Sequence, residues 1–206
     1  MNRDENYVHR RAFAVATVAL FMSLITICGA TLGQQTEKSR IDIQTLFTAS
    51  GWMGDGEHGR QYIDFSGANK ENPHSPPTSI KVTYTFGPTR WGGIYWQNEP
   101  DNWGDKLGTN YSNKRLSKLT FWARGETGTE VVEFKAGGIN NPKKKYRDYF
   151  SATIGRLTLS KEWKQYQINL ANKDLSSVIG AFCWVASADY NSTKKVTFFL
   201  DDIFFE

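Results

Sequence analysis

The run Trp91-Gly-Gly-Ile-Tyr-Trp-Gln-Asn-Glu-Pro-Asp-Asn-Trp-Gly104 brings three of the chain's seven tryptophans within thirteen residues. Tyr95 lies among them, and Gln97, Asn98, Asp101 and Asn102 are interleaved with the rings. Flat rings stack on the apolar faces of a ligand, and amides and carboxylates at their edges read its hydroxyls. The run is therefore expected to form one side of a sugar-binding face, with Trp96 stacking and Gln97 hydrogen-bonding. The competing reading makes Ile94 and Trp96 core, Tyr95 a partly wet ring and the remainder a turn.

Further rings and charges alternate along later segments. Trp122 and Arg124 share one parity, as do Glu133 and Lys135, and Trp184 stands opposite Ala181, Cys183 and Val185. If these segments neighbour one another, their outward faces combine two indoles with a guanidinium, a carboxylate and an ammonium. Exposed rings flanked by polar groups mark binding surfaces. The plainer reading is a polar sheet face on which Glu133 and Lys135 form a weak surface pair.

Asp201 and Asp202 sit between Phe198-Phe199-Leu200 and Ile203-Phe204-Phe205, so at least one carboxylate is drawn below the surface. There it must be hydrogen-bonded, paired or bound to a cation. If the partner is a cation, calcium, which takes carboxylates and carbonyls together, is the metal expected, with further ligands from Asp42 or from the Asp55 and Glu57 loop. Support for catalysis is thin. His58 and His74 lie in loop-like sequence, and Cys183 between Phe182 and Trp184 reads as core rather than nucleophile. An acidic pair such as Glu133 with Asp105 or Asp189 would give a glycan-cleaving enzyme, but nothing in the sequence selects that pair.

The elements that must position these residues are strands. Ser79 to Phe86 alternates Ile80, Val82, Tyr84 and Phe86 with Lys81, Thr83 and Thr85, the mark of a half-buried strand. The same alternation recurs to the C-terminus, giving about ten short strands. A short helical turn is expected at Asp174–Val178, and a loop with positive-φ glycines at Ser50–Glu57. The pattern predicts an all-β fold, an antiparallel two-sheet β-sandwich or jelly roll.

Met1 to Gly33 has a basic start, then an uncharged apolar run and small residues at Gly29, Ala30 and Gly33, as a secretory signal does. Uncleaved, it would anchor the chain in a membrane. Residues 34–40 read as a linker and residues 41–206 as one domain. Export to the periplasm, the cell surface or the medium is expected. With Cys28 removed, Cys183 stands alone and no internal disulfide forms. The net charge of +4 is spread along the chain, which argues against a nucleic-acid partner. Lys143-Lys-Lys-Tyr-Arg147 is the basic exception and reads as a solvated loop, with contact to an anionic polymer as the minor alternative.

Gly51-Trp-Met-Gly-Asp55, Trp91 to Trp96 with Asn102-Trp-Gly104, Leu119-Thr-Phe-Trp-Ala-Arg124, Trp163 with Tyr166 and Ile168, and Phe199-Leu-Asp-Asp-Ile203 also form a familiar set. Together they resemble the galactose-binding-like jelly-roll superfamily, and within it the carbohydrate-binding modules of the family 11 kind, which bind β-glucans. The resemblance spans about Ile41 to Glu206. It implies a sandwich whose concave sheet holds a polysaccharide or oligosaccharide and a structural calcium near the last strand. Such modules are usually attached to a glycoside hydrolase, and a free-standing one would retain glycans at the cell surface or work with a separate glycoside hydrolase. The reading favoured is an exported, non-catalytic carbohydrate-binding protein. The alternatives are a glycan-modifying enzyme and an envelope assembly protein that docks another protein.

Overall fold

The computed structural model describes residues 40–58 and 61–206. The expected export signal, and all of the linker except Arg40, lie outside the described residues. The chain forms β1 (Ile41–Asp42), α1 (Ile43–Leu46), β2 (Thr48–Gly54), a 3-10 turn (Asp55–His58), β3 (Ile63–Asn69), β4 (Ser79–Thr85) and β5 (Trp91–Gln97). A second 3-10 turn (Ser112–Lys114) precedes β6 (Lys118–Gly125), β7 (Val131–Gly137), β8 (Ser151–Thr158), β9 (Lys164–Asn169), β10 (Gly180–Ser187) and β11 (Lys195–Phe205). Among the described residues, no helix is long and apolar enough to cross a membrane.

All pairings are antiparallel. The first sheet runs β3-β4-β11-β6-β9, with β1 also paired to β11, and the second runs β2-β5-β10-β7-β8. The predicted two-sheet sandwich is the observed architecture. On β4 the alternation works as read: Ile80, Val82 and Tyr84 are buried, while Lys81 and Thr83 are half-exposed.

The core is an aromatic layer between the sheets. Phe121 of the first sheet meets Phe134 of the second at 4.7 Å between ring centroids, and Trp184 meets Phe198 edge-on at 5.1 Å. Each such ring, fully buried, contributes roughly 1.5–3 kcal/mol by removal from water.

Two local expectations are corrected. Asp174–Val178 is irregular rather than helical, and a helical turn forms instead at Ile43–Leu46, capped by Asp42. Ser50–Gly54 is strand rather than loop, with Gly54 alone there at positive φ, 60°. The 70–78 connection between β3 and β4 lies across the outer face of the first sheet: Ser75 N–H donates to Asp201, and the His74 ring stacks on Trp122 at 3.7 Å.

Candidate functional site

The rings and charges expected on one face are divided among three environments. Trp122 and Arg124 lie on β6 of the first sheet, whereas Glu133 and Lys135 lie on β7 of the second. The outward faces of those strands point away from each other, so the single combined face does not form. Trp96 and Trp184 are core residues at 2 % and 0 % exposure. For Trp96 the competing reading holds, since it packs between the sheets with Ile94.

On β10 the parity is inverted relative to expectation. Phe182 and Trp184 point inward, while Cys183 and Val185 belong to an apolar cluster on the outer side. Both sets on this central strand are apolar, so alternation alone does not choose between them. The space between the sheets takes the large rings, and the small side chains are left outside. Burial there pushes the Cys183 thiol far above its ordinary value, which keeps it an inert thiol.

Trp122 and Arg124 are half-buried beneath the 70–78 connection. Trp163 N–H donates to Asn72 O (2.9 Å), and the Arg124 guanidinium lies 3.6 Å from the Phe199 ring and donates to Glu71 O. Arg124 Nε is buried with no hydrogen-bond partner among the described residues, and this burial lowers its pKa. These two side chains anchor a loop.

The open surface is the outer face of the second sheet. Register places Met53, Gly93, Val185, Glu133 and Arg156 side by side across β2, β5, β10, β7 and β8. The next row is Gly51, Tyr95, Cys183, Lys135 and Thr153. Gly93 lies in the middle of the face under close packing: a Cβ there would stand 2.5 Å from Trp184 O and 2.9 Å from Met53 Cε. Glu133 and Lys135 pair at 3.2 Å. At one end Trp91, paired with Ser187, is 39 % exposed, and Tyr190 carries Arg156 over its ring at 3.9 Å. At the other end Trp103, edge-on to Tyr95 at 6.0 Å, and Tyr146 cover the cluster of Tyr95, Ile139, Ile179 and Cys183. Tyr95 is thereby buried, its hydroxyl donating to Gly137 O. Strand parity could have found Trp91, because an odd-numbered residue of β5 shares its face with Tyr95 and not with Trp96. Tyr190 and Tyr146 lie in connections, where alternation carries no signal.

The polar residues around Trp103 build its loop. Gln97 is fully buried, accepting from Ser50 Oγ (2.8 Å) and donating to Asn102 O (2.9 Å). The Asn102 amide donates to Asn98 Oδ1 and Lys106 O and accepts from the N–H groups of Gly104 and Lys106. Every polar position of that side chain is met within one loop. Asp148 fastens the β7–β8 loop, accepting N–H bonds from Ile139, Ile179 and Gly180. Burial outweighs these bonds and pushes its pKa up to about 6.

The four aspartates expected to hold calcium are each committed to protein donors. Asp42 caps α1 through Thr45. Asp55 is buried and accepts from Tyr84 Oη (2.6 Å), Gly87 N, Thr89 N and Thr89 Oγ1. Burial raises its pKa, but these four bonds outweigh it and hold the carboxyl below its ordinary value. Asp201 accepts from the Ser75 and Asp202 N–H groups, and Asp202 meets His74 Nδ1 (2.8 Å) and Ser75 Oγ. Among the described residues no three His, Cys, Asp or Glu side chains converge to hold a metal.

No protein-family model matches the chain, and no curated protein matches it. Solved structures do. The family 30 carbohydrate-binding module of a cellulosomal cellulase of Clostridium thermocellum aligns with a TM-score of 0.54 at 14 % identity, over 82 % of this chain and 97 % of that one. A second family 30 module structure aligns with a TM-score of 0.50 at 15 % identity, over 82 % and 88 %. A family 11 module from a cellulosomal cellulase of the same organism is also among the matches, with a TM-score of 0.49 at 13 % identity over 81 % and 92 %. At such identities the likeness speaks to architecture: this chain has the antiparallel two-sheet β-sandwich fold seen in carbohydrate-binding modules.

Proposed function

We propose that this protein is an exported carbohydrate-binding protein that holds a polysaccharide chain, without cleaving it, on the outer face of the second sheet. The observation that carries the reading is Trp91, a large ring left 39 % exposed at the end of a sheet face that also presents Glu133, Lys135 and Arg156. An indole there stacks on a sugar, and the charged groups beside it bond hydroxyls. The structural neighbours support the reading, since they are carbohydrate-binding modules. The N-terminal run Met1–Gly33 supports export.

A binding-only role is supported by the state of the acids around the face. Glu133, Asp189 and Asp105 are each held by a cation, Lys135, Arg90 and Lys144. A glycosidase needs two carboxyl groups set opposite each other across the bound sugar, and each of these carboxylates is instead turned to a cation. An open face excludes water incompletely, so affinity is expected in the range of about 1 μM to 1 mM, roughly −8 to −4 kcal/mol.

The test is affinity electrophoresis through gels containing a panel of polysaccharides, with assay of reducing ends in parallel. The β-glucan class implied by the sequence resemblance is the first to include. Retardation in at least one gel with no new reducing ends is the expected result. Steady release of reducing ends would overturn the non-catalytic reading, and free migration in every gel would overturn carbohydrate binding.

A further inference from the structure

The charges around the outer face of the second sheet do not balance. Its acids are engaged: Glu133 with Lys135 at 3.2 Å, Asp189 with Arg90 at 3.7 Å, and Asp105 with Lys144 at 2.6 Å. Arg156 on β8, and Lys143, Lys145 and Arg147 in the β7–β8 loop, have no ion-pair partner among the described residues. Asp101, exposed on the β5–β6 loop, is a further acid, with no ion pair among the described residues.

Three of the four unpaired cations lie over tyrosine rings. Arg156 is 3.9 Å from the Tyr190 centroid, Lys145 is 5.0 Å from that of Tyr146, and Arg147 is 5.9 Å from that of Tyr149. Tyr190 and Tyr149 are 52 % and 55 % exposed. Ring stacking holds a cation in place without neutralising it, so its N–H donors remain open to an anion. Each pair thus sets a positive charge on one face of a tyrosine ring, an apolar plate whose remaining surface lies beside that charge. A neutral sugar would use the plate and leave the charge unanswered. A sugar bearing a carboxylate or a sulfate would use both.

We infer that the ligand of this face is an acidic polysaccharide, its anionic groups meeting Arg156 and the cations of the 143–147 loop while sugar rings lie on Trp91 and the tyrosines. The inference rests on the carbohydrate-binding reading above and adds the chemical class of the chain. The test uses the full chain and calorimetric titration with polygalacturonate, its fully methyl-esterified form, chondroitin sulfate and polyglutamate. Polygalacturonate or chondroitin sulfate is expected to bind at least roughly tenfold tighter than the ester, a difference of about 1.4 kcal/mol. Binding of polygalacturonate shows that a carboxylate suffices, since chondroitin sulfate carries carboxylates as well as sulfates. The preference should shrink as salt rises, because the Debye length falls from about 10 Å at 0.1 M to about 3 Å at 1 M. The exposed-loop variant Lys143→Gln/Lys145→Gln/Arg147→Gln and the variant Arg156→Gln should each lose affinity for the acid chain while melting like the wild type. Ester binding as tight as acid binding overturns the inference and leaves carbohydrate binding standing. Unchanged affinity in both variants, or equal binding of polyglutamate, also overturns it. Failure to bind any polysaccharide, in this titration and in the gels above, overturns both.

Discussion

Trp184 and Trp91 are the same residue type on neighbouring strands, and packing gives them opposite roles. Trp184 fills space between the sheets against Phe198, so Trp184→Ala should cost about 3–5 kcal/mol and lower the melting temperature steeply. A variant that melts like the wild type would show the ring to be dispensable to the core. Asp148 is one residue through which pH acts. Its folded pKa, about 6, lies above the ordinary 3.8, so the fold favours the protonated acid. The associated stability is fully present below about pH 4 and is lost as pH rises toward 6. With about 1.36 kcal/mol per unit, wild type should lose up to about 3 kcal/mol relative to Asp148→Asn between pH 4 and 7. Urea melts of the two proteins across that range measure the difference, and a wild-type stability that stays constant or rises relative to Asp148→Asn would contradict it.

At the scale of elements, the loop between β5 and β6 depends on one amide. Asn102 supplies two donors and two acceptances inside the 98–107 turn, and Trp103 follows it directly. Asn102→Ala should destabilise the domain by about 1–3 kcal/mol, the cost of buried groups left unmade. It should also raise the hydrogen exchange of the Gly104 and Lys106 amides, and unchanged exchange would refute the role. The acids of β11 give a second test of connections: because their oxygens are held by Ser75 and His74, a chelator should leave the melting curve unmoved. What the sequence made legible was the content of each strand. Ile80, Val82 and Tyr84 against Lys81 and Thr83 read correctly because one side of β4 is polar. β10 read backwards because both of its sides are apolar. Trp122 and Glu133 were placed together because alternation fixes a residue's side but not its sheet, and β6 and β7, consecutive in sequence, belong to opposite sheets. The polar residues around Trp103 were legible as unusual, but that a buried amide was closing a loop required the backbone it closes.

For the molecule as a whole, the two sheets present outer faces of different character. That of the first is crossed by the 70–78 connection, which lays His74 on Trp122 and hydrogen-bonds Trp163. That of the second carries Trp91 and Tyr190 exposed at one end and an uncompensated basic loop at the other. Binding is therefore assigned to one side of the sandwich, and the assignment can be read from two matched substitutions. The decisive measurement is affinity electrophoresis of Trp91→Ala and Trp122→Ala, each first shown to melt cooperatively, in a gel containing a polysaccharide that retards the wild type. Trp91→Ala should migrate freely and Trp122→Ala should remain retarded; retardation of Trp91→Ala with free migration of Trp122→Ala would place the ligand on the opposite sheet and contradict the account.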